Sequence, residues 1–432
     1  MTSSTALLTD RYELTMLDAA LRDGTADIPC VFDLFARRLS GGRRFGVVAG
    51  TGRFLSLLRD FRFGDDELRY LRDERVVDRT TIDYLAGFRF TGDITGYAEG
   101  ELYFPYSPVL TVQGTFAEAV VLETLALSVL NHDSAIATAA ARMTMAAGER
   151  PVAEMGSRRA GEHSAVAAAR AAYIAGFGAT SNLEAGRRWG IPTMGTAAHS
   201  WTLLHDDEED AFRAQVEALG ERTTLLVDTY DIHRGVETAV RVAGTGLGGV
   251  RIDSGDLPVV AAEVREQLDS LGAVKTSITV TSDLDEYAIA ALAASPVDAY
   301  GVGTALVTGS GTPTSGMVYK LVARQNSAGE WISVAKTSAE KGSRGGRKRA
   351  FRTRERGIAT SELIALGESV PANPDARALQ VSLVRAGEPD ASYEGPGGVQ
   401  LAREHHARVR SELPRRGHAL SKSDPAIPTI FV

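Results

Sequence analysis

The stretch IPTMGTAAHSW, at positions 191–201, is the part of the sequence from which the fold prediction starts. Its first four residues form an apolar run, and Gly195 with Thr196 is typical of a turn at the carboxyl end of a short buried strand. His199 follows that turn among small residues. Ligands of α/β domains bind at this end of the strands, but a histidine in an apolar setting is more often a hydrogen-bonded core residue. The stretch alone leaves both roles open.

The composition is that of a globular protein with more than one ordinary domain, or with a large barrel and additions. The chain has 432 residues, of which 44% are hydrophobic and 24% are charged. Its net charge of -8 argues against general affinity for nucleic acids and anionic membrane surfaces. Cys30 is the only cysteine, which excludes an intrachain disulfide and a multi-cysteine zinc site.

No targeting or membrane segment is predicted. Residues 1–16 lack a basic segment followed by a long apolar one, so they do not form a secretory signal. The longest apolar stretch, 117–130, is interrupted by Glu118 and Glu123. We therefore expect a cytoplasmic protein that binds neither nucleic acid nor membranes.

The first hundred or so residues predict a mixed α+β unit with a half-exposed sheet. A helix is predicted over 7–23, with Tyr12 in its first turn, pointing away from the apolar face. Residues 30–35 and 94–106 alternate as strands do. Between them, ARRLSGGRRFG at 36–46 is either a phosphate-binding loop or a solvated one.

From residue 115 the pattern changes to helices and then to repeated βα units. Two Ala-rich helices are predicted at 115–131 and 133–148, with a turn between them. Strands alternating with helices predict parallel βαβ units, and six or more in series favour a closed or nearly closed barrel. The predicted strands are 152–155, 193–195, 224–227, 249–252, 277–280 and 299–302; the predicted helices between them are 165–175, 208–219, 236–243, 258–271 and 286–294.

Polar residues follow nearly every predicted strand. In a barrel the carboxyl ends of the strands converge on one face, where barrel enzymes carry out their chemistry. Arginine, histidine and aspartate beside glycine turns therefore favour a catalytic face over polar loops alone. These strand tips are 156–159, 196–199, 228–231, 253–256, 281–283 and 303–304, with Arg251 near the end of its own strand.

The tip residues are suited to binding phosphate and sugar groups. GVGT at 301–304 is a weak phosphate-binding motif of backbone N–H groups and a hydroxyl. Asp253 and Asp256 suit ribose hydroxyls or a magnesium ion, and Arg158 and Arg251 suit carboxylate or phosphate oxygens. The sequence contains no CxxC, HExxH, GxSxG or P-loop motif, which argues against metalloproteases, α/β-hydrolases and Walker-type enzymes.

The order and spacing of the motifs resemble those of the nicotinate phosphoribosyltransferases, in the type II phosphoribosyltransferase group. The motifs run through most of the chain. They are TDRYELTM (9–16), FDLFARR (32–38), EMGSRRAG (154–161), AAYIAGFGATSN (171–182), GIPTMGTAAHSW (190–201), LLVDTYD (225–231), GVRIDSGDL (249–257), TSDLDEY (281–287), GVGT (301–304) and VYKLV (318–322).

The resemblance implies an irregular, TIM-like α/β barrel and an α/β sandwich domain that the carboxyl-terminal tail rejoins. On this basis we expect the sandwich to begin with residues 1–114, the barrel to span 115–325 and residues 326–432 to return to the sandwich. The implied reaction joins nicotinate to phosphoribosyl pyrophosphate, giving nicotinate mononucleotide and pyrophosphate. It is coupled to ATP hydrolysis with Mg²⁺, in a homodimer with shared active sites.

The resemblance and the chemistry of the strand tips together give expected roles for individual residues. His199 corresponds to the histidine that the family phosphorylates, and Tyr12 is expected to reach the partner subunit's site. The expected catalytic residues are His199, Arg251 and Asp253. Expected nicotinate contacts are Tyr12, Arg158, Ser181, Thr196 and Arg251. Expected phosphoribosyl pyrophosphate contacts are Arg37, Asp253, Ser254, Gly255, Ser282, Gly303 and Thr304, and the expected Mg²⁺ ligands are Asp253 and Asp256.

Two segments depart from the family pattern. The family often has a longer Gly-rich insert after the double arginine, whereas here residues 161–163 lead almost directly to Ser164. Residues 341–349 (KGSRGGRKR) replace a Pro-Gly turn that many members have, and are either a phosphate-reaching loop or a solvated surface. A cysteine-rich zinc appendage, present in some relatives, is excluded.

Three other functions are compared with this one. Nicotinamide-specific relatives have aspartate at the position of Ser181. A serine hydroxyl donates to a carboxylate that an aspartate would repel, so Ser181 favours nicotinate. A flavin-binding barrel oxidoreductase would use the tip at Gly303 and Thr304 for its phosphate, and a coloured protein would indicate it. A non-catalytic phosphate-binding barrel would not need the histidine and arginine set.

Overall fold

The computed structural model describes residues 4–336, 344–367 and 375–432. Contacts between residues divide the chain into two compact units: Met1–Thr138 with Thr312–Val432, and Ala139–Gly311. Residues 115–138 and 312–325 make their contacts within the first unit, although the predicted boundaries group them with the barrel. These two units are defined by contacts between residues and do not test the predicted domain boundaries, which stay a prediction.

The first unit is built on an antiparallel sheet that both ends of the chain supply. The strand Pro29–Ala36 is at its centre and is buried along most of its length, as its run of apolar residues predicts. The carboxyl-terminal strand Gln380–Arg385 pairs with Asp93–Tyr97, so the tail rejoins the amino-terminal part. The strand order is Trp331–Ser333, Met317–Gln325, Pro29–Ala36, Leu110–Thr115, Asp93–Tyr97, Gln380–Arg385 and Glu388–Pro389.

Two smaller sheets and a set of helices complete this unit. The four-stranded sheet has the order Arg377–Ala378, Lys348–Glu355, Ile358–Leu366 and Thr429–Phe431, and the two-stranded one pairs Gly46–Val47 with Leu102–Tyr103. The α-helices are Arg11–Asp23, Thr51–Arg59, Asp65–Asp73, Arg79–Ala86, Phe116–Val120 and Gly395–Arg410. The 3-10 helices are Ala6–Leu8, Ser40–Gly42, Ala391–Tyr393 and Arg415–His418.

The second unit is a curled parallel sheet with helices between its strands, which confirms the predicted fold class. The strand order is Ala179–Thr180, Val152–Glu154, Ala299–Val302, Ser277–Val280, Gly249–Ile252 and Thr224–Leu226. All five pairings are parallel, so the carboxyl ends lie at one edge of the sheet. The helices are Glu162–Ile174, Leu183–Trp189, His199–Leu203, Glu208–Leu219, Ile232–Ala243, Leu257–Ser270, Glu286–Ala291 and Thr304–Val307, with 3-10 turns at Ser157–Arg159 and Leu292–Ala294.

The strand predicted at 193–195 is wrong. Only Thr193 pairs there, in a single parallel bridge with Thr180, and the two-residue strand at this position in the sheet is Ala179–Thr180. The N–H of Thr180 donates to the carbonyl of Pro192, and the N–H of Met194 donates to the carbonyl of Thr180. Pro192 has no N–H of its own, and Gly195 comes directly after Met194. The pairing therefore does not extend into a strand.

The turn predicted at 131–133 is also wrong, because one helix, Glu123–Ala147, runs through it. The polar side chains there bind neighbours within the first unit instead of ending the helix. Asn131 accepts a hydrogen bond from the N–H of Met317 at 2.8 Å, and Asp133 pairs with Arg53 at 2.6 Å. The helical segment Phe116–Ala147 is long and apolar enough to cross a membrane, but 67% of its most apolar window is buried inside the protein, as in a core helix.

The basic segment 341–349 is described from residue 344 onwards. The described part is neither a wholly solvated surface nor a free loop. Residues 341–343 lie outside the described residues. Lys348 is buried, and its Nζ lies 2.8 Å from Oδ2 of the fully buried Asp33. The Arg344 and Arg347 guanidinium groups lie over the rings of Phe431 and Trp331. These residues are thus mainly part of the packing of the first unit.

Candidate active site

A cavity of about 530 Å³ lies at the carboxyl ends of the parallel strands. Its position is the one that the sequence predicts, because the residues following parallel strands meet at one edge of the sheet. The lining combines arginines, hydroxyl groups and small residues, which is the composition expected for an anionic small molecule. The lining residues are Met155, Ser157, Arg158, Arg159, Ser181, Met194, Gly195, Thr196, Ala197, Ala198, Arg251, Asp253, Thr281, Ser282, Asp283, Gly301, Gly303 and Thr304.

Arg251 is a partly buried cation in this lining. It lies in the strand Gly249–Ile252, and its Nη1 donates a hydrogen bond to Oγ1 of Thr196. Its Nε has no partner among the described residues. Burial lowers the pKa of Arg251, against the opposing effect of Asp253 and Asp228. A desolvated guanidinium with an unused N–H gains from an anionic ligand that accepts from it.

Carboxylates from two neighbouring strands lie beside Arg251. Oδ2 of Asp228, which follows the strand Thr224–Leu226, accepts hydrogen bonds from the N–H of Asp253 at 2.9 Å and from Oγ of Ser254 at 2.7 Å. Thr281 donates its hydroxyl proton to Oδ1 of Asp253 at 2.5 Å. These bonds fix the tip after Ile252 against the tips on either side.

The carboxylates of Asp228 and Asp253 fit a magnesium ion better than the predicted pair does. Oδ1 of Asp228 is buried with no partner among the described residues. Asp256 is exposed, and its side chain makes no capping bond to the helix Leu257–Ser270. The described part of the chain contains no cluster of three or more potential metal ligands. Because Mg²⁺ usually takes one or two carboxylates together with substrate phosphates and water, this donor set still suits it.

His199 is the first residue of the short helix His199–Leu203, next to the lining residue Ala198. Its Nδ1 lies 3.1 Å from Oγ1 of Thr229, which follows the strand Thr224–Leu226. This hydrogen bond orients the ring and leaves Nε2 as the nitrogen for other chemistry. His199 itself is not one of the lining residues, and it therefore lies beside the cavity and not in its wall.

A crowded group of carboxylates adjoins the same strand end. Burial raises the pKa of Glu208 to about 7, and the negative charges of Asp231 and Asp228 add to the effect. Oε1 of Glu208 is buried without a partner among the described residues. A cation bound beside these three carboxylates would reduce their mutual repulsion.

Tight packing requires a glycine at the start of the expected phosphate-binding motif. A Cβ added to Gly301 would lie 2.6 Å from Thr281 and 2.8 Å from Met155, so only glycine fits there without a shift. The short helix Thr304–Val307 begins directly after Gly303. Ser282 has φ 89°, a left-handed conformation that is costly for a residue other than glycine and is concentrated at functional sites.

The structure brings together most of the predicted site residues, but not all of them. Arg158, Ser181, Thr196, Arg251, Asp253, Ser282, Gly303 and Thr304 line the cavity. Ser254, Gly255 and Asp256 are exposed on the tip after Asp253 and are not in the lining. Tyr12 and Arg37 belong to the first unit, where Tyr12 is 46% exposed and the Arg37 guanidinium lies 6.0 Å from the Phe35 ring centroid.

Several residues with a part in this geometry were not among the predicted site residues. Asp228 and Thr229 hold Asp253 and His199, and Met155, Arg159 and Asp283 line the cavity. Their place at the ends of predicted strands, or within a few residues of those ends, was the available indication. Sequence spacing alone does not distinguish a tip residue that faces the cavity from one that faces solvent.

The fold and the cavity together define a barrel-type α/β protein with a cavity suited to phosphorylated or carboxylated small molecules. Residues 7–131 match the family described as the nicotinate phosphoribosyltransferase (NAPRTase) N-terminal domain, and residues 151–363 match the nicotinate phosphoribosyltransferase (NAPRTase) family. The chain belongs to the nicotinate phosphoribosyltransferase family.

Individual relatives agree with this assignment. Nicotinate phosphoribosyltransferase pncB1 of Mycobacterium tuberculosis is 57% identical over 433 residues, covering 98% of this chain and 94% of the relative. Nicotinate phosphoribosyltransferase of Bacillus subtilis is 39% identical, covering 81% of this chain and 73% of the relative. The crystal structure of human nicotinic acid phosphoribosyltransferase has 25% identity and a TM-score of 0.83, covering 98% and 97% of the two chains.

Proposed function

We propose that this protein joins nicotinate to phosphoribosyl pyrophosphate, giving nicotinate mononucleotide and pyrophosphate for NAD biosynthesis. The observation that carries the proposal is the cavity, which is lined by Arg158 and Arg251, by the hydroxyl-bearing Ser181 and Thr196, and by the glycine tip at Gly303. The first set suits a carboxylate, and the glycine tip suits a phosphate. The chain's membership of the nicotinate phosphoribosyltransferase family supports the same reaction.

The chemistry requires positioning more than proton transfer. The ring nitrogen of nicotinate attacks the anomeric carbon as pyrophosphate leaves, through a transition state with oxocarbenium character. An unprotonated pyridine nitrogen is already a nucleophile, so no general base is needed. The chain's part is to hold two anions in line and to stabilise the charge that develops.

We infer that Arg251 and Thr196 hold the carboxylate of nicotinate, together with Arg158 and Ser181. Arg251 is already joined to Thr196 by a hydrogen bond, and its Nε is free of partners among the described residues. Because the guanidinium is partly desolvated before the substrate arrives, little reorganisation accompanies binding.

The phosphoribosyl pyrophosphate would extend from this base site along the other tips. We propose contacts from Asp253, Ser282, Gly303 and Thr304, with Ser254, Gly255 and Arg37 as further candidates. A bound Mg²⁺ would neutralise pyrophosphate oxygens, and Asp253 with Asp228 are the residues that would hold it. Asp228 would take the role predicted for Asp256, because Asp256 is exposed and Asp228 has a buried oxygen without a partner among the described residues.

We further propose that ATP phosphorylates His199 and thereby couples its hydrolysis to synthesis. The Nδ1 of His199 is oriented by Thr229, which leaves Nε2 as the nucleophile towards the γ-phosphate. A phosphate on this nitrogen would add negative charge and acceptor oxygens beside the substrate site and so change its affinity for magnesium and pyrophosphate. We also propose that the protein acts in the cytoplasm as a homodimer in which Tyr12 completes the partner subunit's site.

The rival substrate is nicotinamide. Ser181 lines the cavity, and its hydroxyl donates to a carboxylate, whereas the aspartate of nicotinamide-specific relatives would repel one. The rival from another class, a flavin-binding oxidoreductase, would make the purified protein yellow.

One experiment tests the proposal. The purified protein is given phosphoribosyl pyrophosphate and Mg²⁺ with either nicotinate or nicotinamide, with and without ATP, and the products are separated by chromatography. We expect nicotinate mononucleotide, formed faster with ATP. Formation of nicotinamide mononucleotide at an equal or higher rate would contradict the assigned base.

A further inference from the structure

Glu154 is a fully buried carboxylate directly behind the proposed base site. It is the last residue of the strand Val152–Glu154 and has no exposed surface. Both oxygens accept hydrogen bonds from neutral donors: Oε1 from the N–H of Gly156 and Oε2 from the hydroxyl of Thr180. Burial raises its pKa, and these two hydrogen bonds oppose that rise. A buried acid is costly to maintain, so its presence calls for an explanation.

The two partners of Glu154 lie on different strand tips. Gly156 begins the turn Ser157–Arg159, which carries Arg158 into the cavity. Thr180 ends the neighbouring strand Ala179–Thr180 and directly precedes Ser181. The backbone carbonyl of Glu154 also accepts from the N–H of Ser181 at 2.8 Å.

Asn182 completes a ring of hydrogen bonds between these tips. Its N–H donates to Oγ1 of Thr180 at 3.0 Å, and its Nδ2 donates to Oγ of Ser157 at 2.9 Å. The ring runs from Glu154 through Thr180 and Asn182 to Ser157, and returns to Glu154 through the backbone. Arg158 and Ser181 are the residues next to its corners, and both line the cavity.

We propose that Glu154 is a positioning residue that sets the spacing of Arg158 and Ser181, and that through them it contributes to discrimination of nicotinate from nicotinamide. The inference rests on the proposed base site. A carboxylate has two equivalent acceptor oxygens, so it receives a donor from each tip at once. The amide of glutamine has only one acceptor oxygen, so it cannot satisfy both donors in the same way.

The geometry also accounts for Gly156. A Cβ there would lie 2.3 Å from Val307, 3.0 Å from the carbonyl oxygen of Gly303 and 3.1 Å from Oε1 of Glu154. The tip after Glu154 therefore has little room to move. A change of a few tenths of an ångström in this ring would be transmitted to Arg158 and Ser181 rather than absorbed.

The main test is Glu154→Gln in the full-length protein, with steady-state constants for nicotinate, nicotinamide and phosphoribosyl pyrophosphate. We expect the nicotinate KM to rise about tenfold, and the nicotinate-to-nicotinamide ratio of kcat/KM to fall by about the same factor, the scale of one lost hydrogen bond to a charged group. The KM for phosphoribosyl pyrophosphate should change less than the KM for nicotinate, because Gly303 packs against Gly156 but lies outside the ring of hydrogen bonds.

The matched control is Glu286→Gln, which makes the same change at another buried carboxylate of the second unit. Glu286 is 3% exposed, lies 2.9 Å from Arg142 and 2.6 Å from Ser310, and is not in the cavity lining. This variant should lose thermal stability without a change in the ratio for the two bases. An equal change of that ratio in both variants would overturn the proposal, because it would then reflect loss of buried charge in general.

A second pair of variants keeps the test decisive if Glu154→Gln does not fold. Thr180→Val removes the hydroxyl that bridges Glu154 and Asn182 at constant volume, and it should reproduce the loss of discrimination. Thr180→Ser keeps a hydroxyl and should recover most of it. If valine and serine behave alike, the ring does not position the base site.

A double-mutant cycle separates action through Ser181 from independent effects. If Glu154 acts through Ser181, Glu154→Gln combined with Ser181→Ala should lose no more discrimination than the worse single variant; additive losses would count against the inference. The wild-type product assay is done first. Failure to form nicotinate mononucleotide there would refute the proposed function, whereas an active wild type with an unaltered ratio in Glu154→Gln would refute only the role of Glu154.

Discussion

Nη1 of Arg251 donates a hydrogen bond to Oγ1 of Thr196, and this contact joins segments near opposite edges of the parallel sheet. Thr196 follows the bridge at Thr193, beyond the edge strand Ala179–Thr180, whereas Arg251 lies in the strand next to the other edge. The contact between His199 and Thr229 crosses the sheet in the same way. A six-stranded sheet thus acquires a barrel-like mouth through side chains at its carboxyl ends, and these are the side chains to which we assign the chemistry.

Replacement of Arg251 by alanine should remove most of the activity and leave the fold intact. The side chain donates to Thr196 and lies in the field of the Asp253 and Asp228 carboxylates, so its loss removes both the proposed substrate-binding cation and the contact across the mouth. We expect kcat/KM to fall by at least about a hundredfold, the scale for one preorganised donor. The control is Arg241→Ala, an exposed arginine paired with Glu209 on an outer helix. A near-normal kcat/KM for Arg251→Ala would refute the assignment.

The substitution Ser181→Asp should shift preference from nicotinate towards nicotinamide. A fixed carboxylate beside the bound carboxylate of nicotinate is repulsive in a partly desolvated pocket, whereas it can accept from an amide NH₂. We expect the ratio of the two kcat/KM values to move towards nicotinamide by about tenfold or more. Ser181→Asn, which has the same shape without the charge, is the control. If asparagine shifts the ratio as far as aspartate does, charge is not the discriminating property.

Tyr12 should act across the boundary between two subunits. Its ring is half-exposed, and burial together with Glu123 and Glu13 raises the pKa of Tyr12 to about 12, so the side chain is a neutral phenol near neutral pH. Inactive Tyr12→Ala and Arg251→Ala subunits, mixed and reassembled, should regain activity in about a quarter of the sites, because each mixed dimer has one undamaged site.

The control for this experiment mixes Arg251→Ala with Asp253→Ala subunits. Arg251 and Asp253 both belong to the second unit, so each proposed shared site takes both residues from the same subunit. In a mixed dimer every site therefore carries one of the two substitutions, and the mixture should stay inactive. If the Tyr12 mixture also stays inactive, the shared site is refuted.

The helix Arg11–Asp23 has a buried acid, Glu13, in its first turn, and this group should make the stability depend on pH. Burial raises the pKa of Glu13 from 4.5 to about 7, although Thr124 and Thr9 donate hydrogen bonds to it. The folded state then binds a proton that the unfolded state has lost, so the free energy of unfolding should fall as pH rises from about 4.5 to about 7, by at most about 1.4 kcal/mol per pH unit.

Glu13→Gln should flatten this dependence, because the amide stays neutral in both states. Urea unfolding of wild type and variant at pH 5 and pH 8 measures it, and the difference between the two proteins removes the contribution of all other groups. Glu74→Gln, at an exposed position of the same unit, should leave the wild-type slope unchanged. Parallel pH profiles for wild type and Glu13→Gln would show that Glu13 ionises normally.

Much of the second unit was predictable because its strands are short segments rich in apolar residues, each followed closely by a polar residue or a glycine. The strands Gly249–Ile252, Ser277–Val280 and Ala299–Val302 were predicted with the bounds that the structure has. The two-residue strand Ala179–Thr180 is too short to produce a period, so it was not predicted. A strand was predicted at 193–195, where the structure has only a single bridge at Thr193, because so short a segment has no period by which to distinguish the two.

The site was less predictable than the fold, since its geometry depends on contacts between residues far apart in sequence. The bond between His199 and Thr229 joins positions 30 residues apart, and that between Arg251 and Thr196 joins positions 55 apart. The proposal of Asp228 in place of Asp256 as a magnesium ligand follows only from knowing which carboxylate is exposed and which has an unused buried oxygen. No local pattern contains that information.

The last prediction concerns His199. If ATP phosphorylates it, His199→Ala should still form some nicotinate mononucleotide but should lose the stimulation by ATP, because the transfer itself needs only positioned substrates and magnesium. A histidine with a purely structural role would instead lower thermal stability and depress the rates with and without ATP alike. One that acts as an acid or base would lose ATP-independent synthesis first. His205→Ala is the matched control, since His205 lies near the same short helix with Nδ1 2.9 Å from the carbonyl oxygen of Trp201. Label from γ-phosphate-labelled ATP that is acid-labile and base-stable should appear on wild type and on His205→Ala, and not on His199→Ala. Stimulation by ATP that persists in His199→Ala, without any such label on wild type, would assign this histidine to the hydrogen bond with Thr229 alone.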